Sequence, residues 1–119
     1  MKPAVQHWEV SSRDYKKAKD FYGKVFGWEF KIFEEMSYAM TSAQEENSIG
    51  GGIGPVQEGQ EPNVTFYITV DDPQAYLDKI EQAGGKTIMP PQAVPDVGTL
   101  AMFSDLDGNV IGLYASEKK

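Results

Sequence analysis

Cysteine is missing from all 119 residues, and histidine occurs once. The first absence excludes disulfides, thiolate metal centres and a cysteine nucleophile. The second excludes an imidazole-rich metal site within one chain, so a metal would need carboxylate, amide or carbonyl oxygens, or a second subunit. Positive charge is scarce as well: 11 Lys and Arg stand against 18 Asp and Glu, for a formal charge of −7. That balance, with no large basic cluster, argues against a nucleic-acid partner. No run approaches the ~20 apolar residues of a membrane span. The stretch Met1 to Val10 lacks the apolar core of a signal peptide, so a soluble, cytoplasmic chain is expected.

What is present is enough for one domain with a real core, at 40% hydrophobic and 12% aromatic residues. From Asp14 to Phe26 the residues Tyr15, Ala18, Tyr22, Val25 and Phe26 recur at near-helical spacing. Lys16, Lys17, Lys19 and Lys24 lie between them as a solvated face. Asp72-Pro73 reads as a cap followed by a first-turn proline, with Tyr76, Ile80 and Ala83 as the apolar stripe and Gly84-Gly85 as the stop. Strands are expected at Val5 to Val10, Trp28 to Phe33, Ser37 to Thr41, Ile49 to Ile53 and Val64 to Val70. In the second half they are expected at Thr87 to Met89, Leu100 to Phe103 and Val110 to Tyr114, the last two joined through Asp107-Gly108-Asn109. Pro90 to Pro95 reads as a loop, because proline removes ladder donors.

The order β-α-β-β-β thus occurs twice, and the halves register without gaps through the first strand and helix. His7 falls on Thr65, Val10 on Ile68, Asp14 on Asp72, Gly27 on Gly85 and Phe30 on Ile88. A module that cannot bury its own sheet face must pair with its twin. The expected fold is therefore α+β: paired βαβββ modules, about 1–58 and 59–119 in a single domain, forming curved mixed sheets around a concave cleft with the helices outside.

Alternation along the strands assigns the cleft. Trp8, Val10, Phe66, Ile68, Val70, Ile111 and Leu113 take the core side, and Phe21, Tyr22, Phe26, Trp28 and Phe30 are also read as core. His7, Glu9, Thr65, Tyr67, Gly112 and Tyr114 face the cleft, aromatic walls with a few polar anchors. His7 and Glu9, two apart on one strand face, read as a polar cluster that satisfies itself at a cleft rim or a dimer interface; the alternative is a proton-transfer pair, for which they are the candidates. Asp105 to Asn109 starts like a calcium loop but has Val110 and Ser116 where glycine and glutamate are needed, so it reads as a turn. The run Gly50 to Gly54 lacks the Lys-Ser/Thr of a phosphate loop and reads as a place of close approach.

His7-Trp8-Glu9-Val10 and the stretch Ala18 to Phe30, with its Phe-Tyr-Gly-Lys-Val-Phe-Gly-Trp phrase, resemble the vicinal oxygen chelate superfamily. That group holds glyoxalase I, bleomycin-resistance proteins and extradiol dioxygenases. Val70 to Pro73, Ala83-Gly84-Gly85 and Asp107 to Tyr114 extend the resemblance over the whole chain. It implies paired βαβββ modules, a small organic ligand or metabolite in the cleft, and a homodimer. It also implies a divalent metal (Zn, Ni, Mn or Fe) held from the first and fourth strands of each module and acting as a Lewis acid on an enolate. Those four positions map onto His7, Thr65, the Gly50 to Gly54 run and Gly112. Only His7 qualifies as a ligand. The expectation is accordingly a binding protein with a degenerate metal site and no cofactor. The alternative is a metal-dependent lyase or isomerase of the glyoxalase I type, its site completed by a second subunit.

Overall fold

The computed structural model describes residues 2–117. They build β1 (Ala4–Ser12), α1 (Tyr15–Phe26), β2 (Lys31–Phe33), a 3-10 turn (Glu34–Met36), β3 (Tyr38–Thr41) and β4 (Gly50–Pro55). There follow β5 (Val64–Thr69), α2 (Pro73–Gln82), β6 (Lys86–Val94), β7 (Gly98–Ser104) and β8 (Val110–Ser116). This is an α+β fold of two βαβββ modules, and the chain groups into two compact units, 7–65 and 66–117, residues 2–6 belonging with the latter.

In the first unit the strand order is β2-β3-β4-β1. The outer pairs are antiparallel, whereas β1 and β4 run parallel, with His7 opposite Gly50, Glu9 opposite Gly52 and Ser11 opposite Gly54. Parallel neighbours need a crossover, and α1 with β2 and β3 supplies it. Asp14 caps α1 by accepting from the Lys17 N–H at 3.1 Å. Gly27, at φ 75°, ends it in the left-handed region that glycine enters without a Cβ penalty. The helix packs on β3 and β4, yet none of its residues is buried. Phe21 and Phe26 are 58% and 57% exposed, which corrects their reading as core. The apolar contact is made instead by a ring stack of Tyr22, Phe26, Trp28 and Trp8, with centroids 5.1–6.1 Å apart at Trp28.

The second unit repeats the plan as β5-β8-β7-β6, with β5 and β8 parallel. Asp72 caps α2 through the Ala75 N–H at 3.2 Å, with Pro73 in the first turn. Here the helix does reach a core. Leu77 is 1% exposed and packs with Val70, Ala101, Phe103 and Leu113, and Ile68, Ile111, Tyr76 and Ile80 close the cluster. Phe66, expected in the core, is 37% exposed. The Pro90 to Pro95 loop is also corrected: β6 continues through Pro90 and Pro91 to Val94. It lies at the unit's edge, its pairing with β7 shifts register between Met89 and Gln92, and an edge with irregular register tolerates missing N–H donors.

Candidate functional site

β1 alternates, so Trp8 meets the α1 side while His7 and Glu9 project from the opposite face. The glycines of β4 confirm the split. A Cβ on Gly51 would run into the Trp8 ring, and a Cβ on Gly52 would run into the Tyr38 hydroxyl. Tyr38 comes from the first residue of β3, and its ring lies over Gly54 as well, 3.3 Å from where a Cβ would stand. The glycine run is thus the seat of a tyrosine.

That tyrosine joins the two sequence candidates. Its hydroxyl donates to Glu9 Oε1 at 3.0 Å and lies 2.7 Å from His7 Nε2. His7 Nε2 and Glu9 Oε1 are 3.8 Å apart, too far for a direct hydrogen bond but bridged by the phenol. With Glu9 ionised the order is fixed: Nε2–H donates to the tyrosine oxygen, and the tyrosine O–H donates to the carboxylate. All three groups are half-buried, the side chains of His7 and Glu9 being 28% and 24% exposed. Burial holds the His7 pKa below its ordinary value. Burial also raises that of Glu9, against the opposing pull of the Tyr38 hydrogen bond. The arrangement favours an uncharged imidazole beside a carboxylate that retains its proton more readily than usual. Such a wall offers a ligand a fixed donor–acceptor pattern, and it can pass a proton between Glu9 and His7 through one hydroxyl.

Tyr38 escaped the sequence reading because no motif marks it. The glycine run was the available signal, since consecutive glycines on a strand face require something large above them.

The remaining sequence candidates lie along β5 and β8. Thr65 is half-buried in β5. Tyr67 pairs with Gly112 in parallel register, and its ring covers that glycine where a Cβ would stand. Tyr114 pairs with Thr69 and donates from its hydroxyl to the Val97 carbonyl at 2.8 Å, which ties β8 to the β6–β7 turn. It therefore has a structural bond of its own. Among the described residues no group of three or more His, Asp or Glu could hold a metal ion. The four positions that the resemblance assigns to ligands do not fit a divalent metal either. His7 Nε2 is engaged by Tyr38, Thr65 offers a neutral hydroxyl, the Gly50 to Gly54 run offers no side-chain ligand and has Tyr38 over Gly52 and Gly54, and Gly112 lies under Tyr67.

Residues 4–113 match the family model described as the Glyoxalase/Bleomycin resistance protein/Dioxygenase superfamily. CFP32 of Mycobacterium bovis, which carries a glyoxylase name, is 29% identical over 118 residues, covering 92% of this chain and 44% of that protein. The chain thus spans a little under half the length of this curated relative. Among solved structures, a glyoxalase/bleomycin resistance protein/dioxygenase superfamily member from Vibrio splendidus superposes with a TM-score of 0.66 at 14% identity, covering 97% of this chain and all of that one. Streptomyces coelicolor methylmalonyl-CoA epimerase in complex with 2-nitronate-propionyl-CoA gives 0.68 at 14% identity, covering 97% and 98%.

Proposed function

Because the chain belongs to the Glyoxalase/Bleomycin resistance protein/Dioxygenase superfamily, we propose that it binds a small organic molecule on the strand face that carries His7, Glu9 and Tyr38. The hydrogen-bonded bridge at 2.7 and 3.0 Å carries this reading. Three polar side chains are drawn into a half-buried face and oriented against one another, an arrangement that preorganises a recognition surface. A solved structure of the same fold is described in complex with 2-nitronate-propionyl-CoA, which supports a metabolite-sized ligand but not its charge. The carboxylate of Glu9 and the net charge of −7 favour a neutral or cationic ligand over an anionic one. A cytoplasmic homodimer is part of the proposal. The half-exposed Phe21, Val25 and Phe26 of α1 are apolar surface that a second copy would cover, and sedimentation velocity checks it.

Calorimetric titration against a panel of neutral and cationic metabolites tests the binding. For a compound that binds, Tyr38→Phe, which removes the hydroxyl, and Glu9→Gln, which removes the charge, should each weaken affinity about tenfold. Affinity unchanged in both variants, or no binding across the panel, counts against the proposal.

A further inference from the structure

The fold and the residues at its ligand positions disagree, and the disagreement is specific. We infer that Tyr38 and Tyr67 occupy the space that metal-ligand side chains would fill, and that the site works through its His7–Tyr38–Glu9 hydrogen bonds without a divalent metal. This rests on the reading that the His7 face is the binding surface.

A glycine at a ligand position could simply be a hole, waiting for a carboxylate from elsewhere. Neither glycine is one. In β4 the residues facing the same way as His7 and Glu9 are Gly50, Gly52 and Gly54, and a Cβ on the middle one would meet the Tyr38 hydroxyl. In β8 a Cβ on Gly112 would meet the Tyr67 ring. The same arrangement thus occurs in both modules: the strand carries glycine, and a tyrosine takes the volume. In the first module the tyrosine also engages His7 Nε2 and Glu9 Oε1. A nitrogen that carries its proton toward Tyr38 presents no lone pair to a cation, and Glu9 Oε1 already accepts from the same hydroxyl. To coordinate a metal through His7 Nε2, the protein would have to give up the hydrogen bond to Tyr38, whose ring fills the seat above Gly52 and Gly54.

The single histidine makes the test direct, because every imidazole signal comes from His7. Long-range 1H–15N spectra should show the Nε2–H tautomer, unchanged by about a tenfold excess of Zn or Co. Thermal unfolding should move by less than about 1 °C in that excess or in EDTA, where a tightly held metal would give on the order of 10 °C. Stoichiometric metal that shifts the His7 resonances and is lost in His7→Ala overturns the inference. Tyr38→Phe keeps the ring over the glycines and removes the hydroxyl, so the tautomer pattern should change; an identical pattern also overturns it. Ligand titration in EDTA separates the two readings. Binding abolished by EDTA defeats metal independence while leaving the binding proposal standing. Absence of ligand binding beside an unperturbed His7 signature defeats the binding proposal alone.

Discussion

The two modules share an element order and differ in what they bury. The second closes an apolar core around Leu77, and its helix inserts a side chain into the sheet. The first has a helix none of whose own residues is buried, packed over a small core of Ala39 and Ile53. It has an aromatic stack at its edge and a polar bridge on the other face of its sheet. A duplicated plan allows this division: one copy can carry stability while the other accommodates half-buried ionisable groups that the fold would otherwise disfavour.

Truncation at the helix–sheet contact should break the comparison most sharply. Leu77→Ala removes a fully buried side chain and should cost about 2–5 kcal/mol in urea unfolding. Phe21→Ala on α1 should stay within about 0.5 kcal/mol, because the ring is already more than half solvated. Equal losses would mean that the first helix is buried against something in solution.

The glycines beneath the tyrosines sharpen the comparison next. Gly112→Ala places a Cβ against the Tyr67 ring close to its base, with Cγ 2.9 Å away, where the ring cannot swing. Gly52→Ala meets Tyr38 at its hydroxyl end, which can yield by giving up its hydrogen bonds. Both are overpacking changes in the range of about 1–3 kcal/mol, and Gly112→Ala should be the larger. Tyr38→Ala should relieve the Gly52→Ala penalty in a double-mutant cycle, and a purely additive cycle would show that the tyrosine is not what the glycine accommodates.

Much of this was legible in the sequence. Asp14 and Asp72 announced both helix starts, and strand alternation placed Ile68, Val70, Ile111 and Leu113 on the core side, where the second module has them. The helical stripe did not tell that Val25 and Phe26 stay more than half exposed, since an apolar stripe records which face is apolar and not whether anything covers it. Phe21, read as core for its aromatic ring alone, is exposed as well. The prolines at 90 and 91 misled for a related reason: whether a missing N–H matters depends on the strand being at an edge, a property of the sheet. At the candidate site His7 and Glu9 were visible from their two-residue spacing. Tyr38 was not, because it lies 29 residues from Glu9 and enters through the register of β3 on β4.

The hydroxyl itself should have a moderate effect. Tyr38→Phe leaves the ring in place and deprives two half-buried groups of their shared partner, for a loss of about 1–2 kcal/mol in chemical denaturation. A negligible loss would mean that water satisfies His7 and Glu9 equally well.

The smallest effect is the most diagnostic, because the two ends of the bridge titrate in opposite senses. Burial puts the folded pKa of His7 below its ordinary 6.5, so the unfolded chain takes up that proton first as pH falls. The stability tied to His7 is then fully present above 6.5 and drains away as pH falls through the folded pKa. Glu9 behaves oppositely: its folded pKa lies above the ordinary 4.5, so its contribution is present below 4.5 and lost as pH rises through the folded value. Glu9→Gln keeps an acceptor for Tyr38 and removes the buried charge. It should stabilise the protein at neutral pH by less than about 1 kcal/mol, with the gain vanishing below 4.5. His7→Gln should flatten the loss of stability on acidification below 6.5 and leave the neutral value nearly unchanged. Unfolding curves for the three proteins between those limits give the two slopes separately. If Glu9→Gln instead destabilises at neutral pH, the hydrogen bond from Tyr38 outweighs burial, and the first module carries its charge as a structural asset.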